Sequence, residues 1–269
     1  MNLGLQDKRA LVLAGTSGLG RATAQALAAD GARVVLNGRS AERAEGVAAE
    51  VASSAAEAAG GAAPFVRGVG GDVTNVAELE KLVSDAVSTL GGLDLLVINA
   101  GGPKAGGFED LTDEDWASAF ELTLMSVVRT VRLALPHLRA AGGGSVVAIG
   151  SSSIRQAVPG LTLSNSIRPG VNVLIRELAT TLGPEGIRFN MVSPGRIVTP
   201  RLDSLDEKRA ALDGTTVEAV RASTARNIPL GRLGRSQEFG QVAAFLLSDA
   251  ASYLTGQSLL VDGGMITAI

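Results

Sequence analysis

The sequence predicts an α/β fold, a doubly wound parallel sheet of about seven strands with helices on both faces. Short apolar runs alternate with longer alanine-rich or amphipathic segments along the whole chain. This alternation is typical of strands that are buried on both faces and connected by helices. No linker rich in proline or serine interrupts the pattern, so residues 1–269 are expected to form a single domain.

Each strand candidate is a short apolar run that ends near a glycine or a polar residue. The first, "RALVLAG" (Arg9 to Gly15), precedes "GRATAQALAADG" (Gly20 to Gly31), whose alanine content and final glycine favour a helix. The second is "ARVVLNG" (Ala32 to Gly38), and a third is expected near Pro64 to Val69. The remaining strand candidates are Leu93 to Gly101, Gly144 to Ser152, Gly186 to Gly195 and Gln257 to Gly264, and the main later helices are Asp113 to Ala140 and Val171 to Leu182.

The composition argues against several classes of function. A net charge of -3, with basic and acidic residues mixed along the chain, gives no basic stripe for a nucleic acid. The chain has no cysteine and a single histidine, His137, so a metal site is not expected. The N-terminus lacks the apolar segment of a signal peptide, and no apolar run is long enough to span a membrane. A cytoplasmic protein with no membrane partner is therefore expected.

Three glycines, Gly15, Gly18 and Gly20, lie in "LAGTSGLGRA" between the first strand and the first helix. The backbone amides of a helix N-terminus can hold a pyrophosphate at such a turn, and glycine lets the phosphates approach. A glycine triplet also suits a tight turn with no ligand, so this motif alone leaves both interpretations open.

The end of the second strand bears on the choice of cofactor. Dinucleotide enzymes that prefer NAD place an acid about 20 residues after the glycine turn, whereas an arginine there accommodates the 2′-phosphate of NADP. Here "LNGRS" carries Arg39 and no acid, which favours NADP(H) over NAD(H). The alternative is that Arg39 is a solvated loop residue.

Four motifs, in the same order, resemble the short-chain dehydrogenase/reductase family over nearly the whole chain. They are "GDVTN" (Gly71 to Asn75), "LLVINAG" (Leu95 to Gly101), "VSPGRIVTP" (Val192 to Pro200) and the C-terminal stretch that ends "SLLVDGG". The resemblance implies a Rossmann-like fold, a nicotinamide dinucleotide cofactor, and hydride transfer to or from a small carbonyl or alcohol substrate. It also implies a homodimer or homotetramer, formed through the helices at Asp113 to Ala140 and Val171 to Leu182.

The resemblance also assigns the residues that hold the cofactor. The usual glycine pattern is shifted, since Leu13 and Ala14 stand where the family has threonine and its first glycine, and the methyl group of Ala14 is expected to crowd the turn. The cofactor-binding residues predicted in this way are Gly15, Thr16, Ser17, Gly18, Leu19, Gly20, Arg39, Asp72, Val73, Asn99, Ala100, Gly101, Pro194, Gly195, Ile197 and Thr199.

The same comparison assigns a catalytic site with unusual residues. Ser151 takes the place of the family's serine, Ser164 that of its tyrosine, Arg168 that of its lysine and Thr123 that of its asparagine. A serine hydroxyl is a much weaker acid than a tyrosine, and arginine stays protonated, so neither supplies a proton as the usual pair does. Lys104 is the nearby group with a tunable pKa; it is either a catalytic residue or a solvated lysine.

Proline at position 169 is expected to disturb the helix that presents "LSNSIRPG", so that the helix begins later with Ser166 as a cap.

The combination of "NAGGP", "LSN" in place of the tyrosine segment and an arginine near the lysine position looks like a subgroup of the family similar to 3-oxoacyl-(acyl carrier protein) reductases. Three functions remain open: an NADP(H)-dependent oxidoreductase, a nucleotide-binding sensor or assembly protein without turnover, and a non-redox lyase on the same scaffold. The polar, helix-prone segment at 201–227 is expected to cover the substrate as a lid.

Overall fold

The structure is a computed structural model that describes residues 3–59 and 61–267. In these residues seven strands form one sheet in the order β3-β2-β1-β4-β5-β6-β7, and every neighbouring pair is parallel. The strands are β1 (Arg9–Val12), β2 (Arg33–Gly38), β3 (Val66–Gly70), β4 (Leu95–Ile98), β5 (Gly144–Ile149), β6 (Ile187–Pro194) and β7 (Ser258–Val261).

Helices connect successive strands along the chain. Those before β5 are α1 (Gly18–Ala29), α2 (Ala41–Ala59), α3 (Val76–Leu90), α4 (Asp113–Phe120) and α5 (Ser126–Ala140). Those after it are α6 (Thr162–Leu182), α7 (Pro200–Asp213), α8 (Val217–Arg226) and α9 (Ser236–Leu247). Within the described ranges, no helix is both long and apolar enough to cross a membrane.

Alternating side chains of the sheet build two apolar cores, one on each face. On β1, Ala10 and Val12 pack with α1, α2 and α9, while Leu11 packs on the opposite face with α3, α5 and α6. The central strands are buried throughout, as their uninterrupted apolar sequences predict. The predicted doubly wound, single-domain fold is confirmed.

Three details differ from the expectations. The third strand begins at Val66 rather than near Pro64, and a π-helical segment, Glu121–Met125, separates α4 from α5 where one helix was expected. The prediction that Pro169 delays the start of α6 is wrong, since α6 begins at Thr162 and continues through the proline. Ser166 is not a cap: its hydroxyl donates to the Thr162 carbonyl inside the helix, at 2.9 Å.

Tertiary contacts of residues that precede Pro169 explain why α6 remains helical at the proline. The Asn165 side chain exchanges two hydrogen bonds with the backbone of Val158, each 3.0 Å. Leu163 is fully buried, and the Arg168 guanidinium donates to the carbonyl of Ile149 at 3.1 Å. These tertiary contacts offset the amide that Pro169 lacks.

The strand order reverses between β1 and β4, which lie side by side. In open parallel sheets, such a reversal opens a crevice at the carboxyl ends of the strands, and ligands bind there. The loops after β1, β4, β5 and β6 all reach this edge, and they carry most of the predicted site residues.

Candidate active site

The turn between β1 and α1 leaves backbone donors free at a helix N-terminus. Helix α1 begins at Gly18, and Ser17 precedes it in an extended conformation without accepting a side-chain capping bond. The first turn of α1 holds no acidic residue. By contrast, Asn75 caps α3, and Thr199 caps α7. The first amides of α1 are therefore available to an external acceptor such as a phosphate.

Close packing at this turn requires glycine at position 20 and strains position 14. A Cβ on Gly20 would lie 2.4 Å from the carbonyl oxygen of Ala14. Ala14 adopts a left-handed conformation with φ of 46°, and its N–H donates to Asn37 Oδ1 at 3.1 Å. The methyl group expected to crowd the turn is thus accommodated, at the cost of backbone strain.

A second polar region lies at the carboxyl ends of β2 and β3. Arg39 is exposed directly after β2. Asp72 follows β3, and its Oδ1 accepts hydrogen bonds from the Thr74 N–H and hydroxyl at 2.8 and 2.7 Å. These bonds lower the pKa of Asp72, and the charge of Arg39 lowers it further. A carboxylate and a guanidinium therefore lie near each other, beside the glycine turn, while Val73 is buried.

A cleft of about 280 Å³ lies along the carboxyl edge of the sheet. It extends from the glycine turn to the first turns of α6 and α7, so it brings together residues from the loops after β1, β4, β5 and β6 and from helices α1, α6 and α7. The predicted residues that line it are Ser17, Gly18, Leu19, Asn99, Ala100, Gly101, Ser151, Ser164, Arg168, Pro194, Gly195, Ile197 and Thr199. The others assigned to the cofactor, namely Gly15, Thr16, Gly20, Arg39, Asp72 and Val73, lie beside the glycine turn or at the ends of β2 and β3.

Three serines form a hydrogen-bonded group after β5 and in the first turn of α6. Ser151 follows β5, and its Oγ accepts from the N–H of Ser153 at 3.2 Å. The hydroxyls of Ser153 and Ser164 are also 3.2 Å apart. Because Ser151 uses its oxygen as an acceptor, its O–H is free to donate to a ligand in the cleft.

Two arginines lie beside these serines. Arg168 is one helical turn beyond Ser164 on α6, and burial together with the charge of Arg201 lowers its pKa to about 10. Arg201 lies in the first turn of α7, where burial lowers its pKa, and it donates to the Pro103 carbonyl at 2.7 Å. A Cβ on Gly102 would lie 2.9 Å from Arg201 Nε, so the loop after β4 closes tightly on this guanidinium.

Comparison with known proteins identifies the family. A profile described as enoyl-(acyl carrier protein) reductase, of the short-chain alcohol dehydrogenase type, matches residues 13–266. The chain belongs to the short-chain dehydrogenase/reductase family. The match covers most of both cores and the whole carboxyl edge of the sheet, and the predicted family membership is confirmed.

Individual short-chain dehydrogenases/reductases match over almost their entire length. The chain is 38% identical over 262 residues to cis-4-hydroxycyclohexanecarboxylate dehydrogenase of Sinomonas cyclohexanicum, covering 96% of each protein. It is 31% identical to the 3-oxoacyl-(acyl carrier protein) reductase of Thermotoga maritima, covering 97% of this chain and 99% of that one. L-sorbose reductase of Gluconobacter frateurii, solved with NADPH and L-sorbose, superimposes with a TM-score of 0.90 at 30% identity over the whole of both chains. An oxidoreductase of the short-chain dehydrogenase/reductase type is the function class that these relatives share.

Two candidates from the sequence occupy different surroundings from Ser151, Ser164 and Arg168. Thr123 is buried in the π-helical segment outside the cleft lining, and its hydroxyl has no partner among the described residues. Lys104 does line the cleft, but its ammonium lies 2.6 Å from the Asp115 carboxylate. That ion pair holds Lys104 at the rim.

Sequence reasoning missed several residues that form the substrate side of the cleft. Arg201 was placed only within the predicted lid, although it follows the "VTP" motif directly. The apolar wall formed by Val158, Leu161 and Leu205 carried no sequence signal, because isolated apolar residues in loops and helix ends are common. No group of three or more residues able to ligate a metal occurs in the part of the chain that the structure describes.

Proposed function

We propose that the protein is an NADP(H)-dependent oxidoreductase that transfers hydride between nicotinamide and a small carbonyl or alcohol substrate. The observation that carries the proposal is the single cleft that joins the uncapped N-terminus of α1 to the hydroxyls of Ser151 and Ser164. A nucleotide pyrophosphate fits the first of these ends, and a substrate oxygen fits the second. The NADPH complex of the L-sorbose reductase relative supports the same cofactor class.

The residues present would hold the dinucleotide in the order in which they lie along the edge of the sheet. The amides of Gly18 and Leu19 would bind the pyrophosphate, and Asp72 would accept from the adenine. Arg39, exposed and with no acid beside it on β2, would bind the 2′-phosphate that distinguishes NADP from NAD. The loop at Pro194 to Thr199 would flank the nicotinamide.

When bound, the cofactor supplies or accepts a hydride, that is, a proton with two electrons. In the reductive direction, the carbonyl carbon gains the hydride and the carbonyl oxygen gains a proton to give an alcohol. Ser151 donates a hydrogen bond to that oxygen and stabilises its developing negative charge. The described lining of the cleft includes no Tyr, His, Asp or Glu, so we assign the proton itself to a water molecule.

Helices α7 and α8 cover the substrate side of the cleft in this proposal. The first turns of α7 contribute Arg201, Leu202 and Leu205 to the wall. We therefore retain the segment at 201–227 as a lid that closes over the substrate and excludes bulk water. Self-association as a homodimer or homotetramer through α4, α5 and α6 is part of the same proposal.

A second function, nucleotide binding without turnover, is favoured by one observation. Lys104 of the cleft is paired with Asp115, and the described lining includes no Tyr, His, Asp or Glu that could donate the proton. General acid catalysis typically contributes about 10²–10⁴-fold, so its absence slows hydride transfer without excluding it. Turnover therefore has to be measured directly.

Calorimetric titration with NADPH and NADH tests the cofactor assignment. We expect NADPH to bind more tightly than NADH, and Arg39→Gln to weaken NADPH binding about 10-fold to 100-fold while leaving NADH unchanged, because one charged contact to the phosphate is lost. Arg226→Gln, an exposed arginine on α8, is the matched control. Equal effects of Arg39→Gln on both nucleotides would contradict the role of Arg39.

Turnover is tested by following the reduced-nicotinamide absorbance with a panel of small ketones and alcohols. Oxidation of NADPH that depends on a ketone, and that falls in Ser151→Ala, supports the oxidoreductase. Tight nucleotide binding with no reaction across the panel would favour the second function. Absence of binding by either nucleotide would overturn both.

A further inference from the structure

The cleft carries an unusual excess of positive charge on its substrate side. Four cationic side chains line it, Lys104, Arg168, Arg196 and Arg201. Aspartate and glutamate are absent from its described lining. Whether this charge is available to a ligand depends on which of the four cations already have an anionic partner.

Two of the four cations are neutralised by acids that lie outside the cleft. Lys104 Nζ is 2.6 Å from a carboxylate oxygen of Asp115. Arg196 Nη2 is 3.0 Å from Asp206, whose side chain is almost fully buried. The charge of each cation is therefore already compensated and does not attract an anionic ligand.

Arg168 and Arg201 are different, because within the described residues each donates only to a backbone carbonyl. Arg168 Nη1 lies 3.1 Å from the oxygen of Ile149, and Arg201 Nη2 lies 2.7 Å from that of Pro103. The Nε of Arg168 is buried and has no hydrogen-bond partner in the described residues. Neither guanidinium forms a salt bridge in that part of the chain.

Two like charges without a counterion are costly in a half-closed cleft. Burial lowers the pKa of both guanidiniums, and the charge of Arg201 lowers the pKa of Arg168 further. Both groups remain protonated at neutral pH. An anion bound between them would remove their repulsion and satisfy donors that now lack a partner.

The location of Arg168 favours the substrate as that anion. Arg168 contacts the end of β5, two residues before Ser151, and lies one helical turn beyond Ser164. Arg201 belongs to α7, the helix that also contributes Leu205 to the apolar lining. Gly18 of the glycine turn lies beside Thr199, two residues before Arg201, so the nucleotide phosphates compete with the substrate for Arg201 but not for Arg168.

We propose that Arg168 and Arg201 together bind the carboxylate of a small oxo acid or hydroxy acid, whose carbonyl or hydroxyl group is positioned at Ser151. This assignment names the substrate class and rests on the proposed function. A guanidinium presents a planar pair of donors that matches a carboxylate. A cleft of about 280 Å³ that also receives the nicotinamide favours a short acid.

Matched substrates test the assignment. NADPH-dependent reduction is compared for acetoacetate against methyl acetoacetate, and for pyruvate against methyl pyruvate, so that only the charge differs within a pair. For at least one pair, we expect kcat/KM to be about 10-fold to 100-fold higher for the acid. Arg201→Gln should remove this preference by lowering kcat/KM for the acid, with little change for the ester. Lys81→Gln, which removes an exposed charge of α3 outside the cleft lining, should leave both values unchanged.

A binding measurement keeps the test independent of turnover. Butyrate carries a carboxylate but no reducible carbonyl, and butyramide is its neutral control. We expect butyrate, but not butyramide, to raise the Tm of the wild type and of Lys81→Gln and to have no effect on Arg201→Gln. Arg201→Lys keeps the charge and should retain part of the stabilisation, which separates loss of charge from loss of folding.

The outcomes separate this proposal from the proposed function. Stabilisation by butyrate without any NADPH oxidation would retain the anion site and reject the redox reaction. NADPH oxidation with equal kcat/KM for acids and esters, and no effect of butyrate, would retain the redox function and overturn the carboxylate site. Weaker NADPH binding in Arg201→Gln, with unchanged butyrate binding and acid preference, would show that Arg201 serves the nucleotide instead.

Discussion

At the scale of single residues, the turn between β1 and α1 places a strained backbone conformation inside the proposed cofactor site. Ala14 lies in a left-handed conformation between β1 and α1, where glycine is the usual choice, and Asn37 holds its amide. Gly18, the first residue of α1, also has a positive φ. The turn therefore depends on a strained residue at its start and an unstrained glycine at the head of α1.

Ala14→Gly tests the cost of this strain. We expect the free energy of unfolding to rise by up to about 1 kcal/mol, because glycine relieves the left-handed strain but loses more conformational entropy on folding. Chemical denaturation of both proteins measures the change.

Gly214→Ala is the matched control for Ala14→Gly. Gly214 ends α7 with φ of 60° and has open space around its Cα. The added methyl group should therefore destabilise the protein by about 1 kcal/mol through backbone strain alone. A loss of stability in Ala14→Gly would show that the Ala14 methyl group contributes packing that outweighs its strain.

At the scale of elements, an ion-pair network joins the two helices of the proposed lid to the sheet. Asp206 of α7 accepts from Arg196 Nη2 and from Arg221 Nε of α8, each at 3.0 Å. Arg196 belongs to the loop after β6, so Asp206 ties α7, α8 and that loop together. Since Asp206 is almost fully buried, its carboxylate depends on these two partners.

Asp206→Asn should loosen α7 and α8. We expect a destabilisation on the order of 2 kcal/mol, less than for a fully buried pair because both arginines keep contact with solvent. Hydrogen exchange should show the largest loss of protection in 200–226. Asp213→Asn, which removes an exposed pair with Arg209, is the control and should change stability by less than about 1 kcal/mol. Equal protection in the two variants would argue against the network.

At the scale of the whole molecule, the carboxyl edge of the sheet forms the cleft, and the amino edge contributes to stability. The carboxyl edge holds the cleft, while the amino edge is fastened by Arg9 and Asp94, which start or precede β1 and β4. Asp94 accepts from the backbone N–H and Nε of Arg9, each at 2.8 Å, and from its Nη2 at 2.7 Å. Burial raises the pKa of Asp94, but these bonds outweigh that effect and leave it below its usual value.

This depressed pKa predicts how stability depends on pH. The Asp94 carboxylate stabilises the fold above its unfolded pKa of about 4, and that contribution is lost as pH falls through the lower folded pKa. Asp94→Asn should therefore reduce the free energy of unfolding at neutral pH, and the difference from wild type should shrink below about pH 3. Urea unfolding across this range measures it. A difference that is independent of pH would mean that the loss comes from hydrogen-bond geometry rather than from charge.

The sequence by itself determined the parallel sheet, the glycine turn after β1 and the spacing of Ser151, Ser164 and Arg168. Apolar periodicity, glycine positions and short intervals along the chain are local properties, so they can be read without coordinates. It also suggested that Pro169 delays α6, and this was wrong because contacts with Val158 and Ile149 hold the helix across the proline.

Only the tertiary structure decided which cations in the cleft lack an acidic partner among the described residues. Lys104 and Arg196 are paired with acids 11 and 10 residues away, whereas Arg168 and Arg201 both line the cleft and form no salt bridge with a described carboxylate. Composition gives the number of charges but not their distances, and the energy of a charge depends on its partners and its burial. For that reason the family could be read from motifs, whereas the proposed carboxylate site depended on the folded arrangement of α6 and α7.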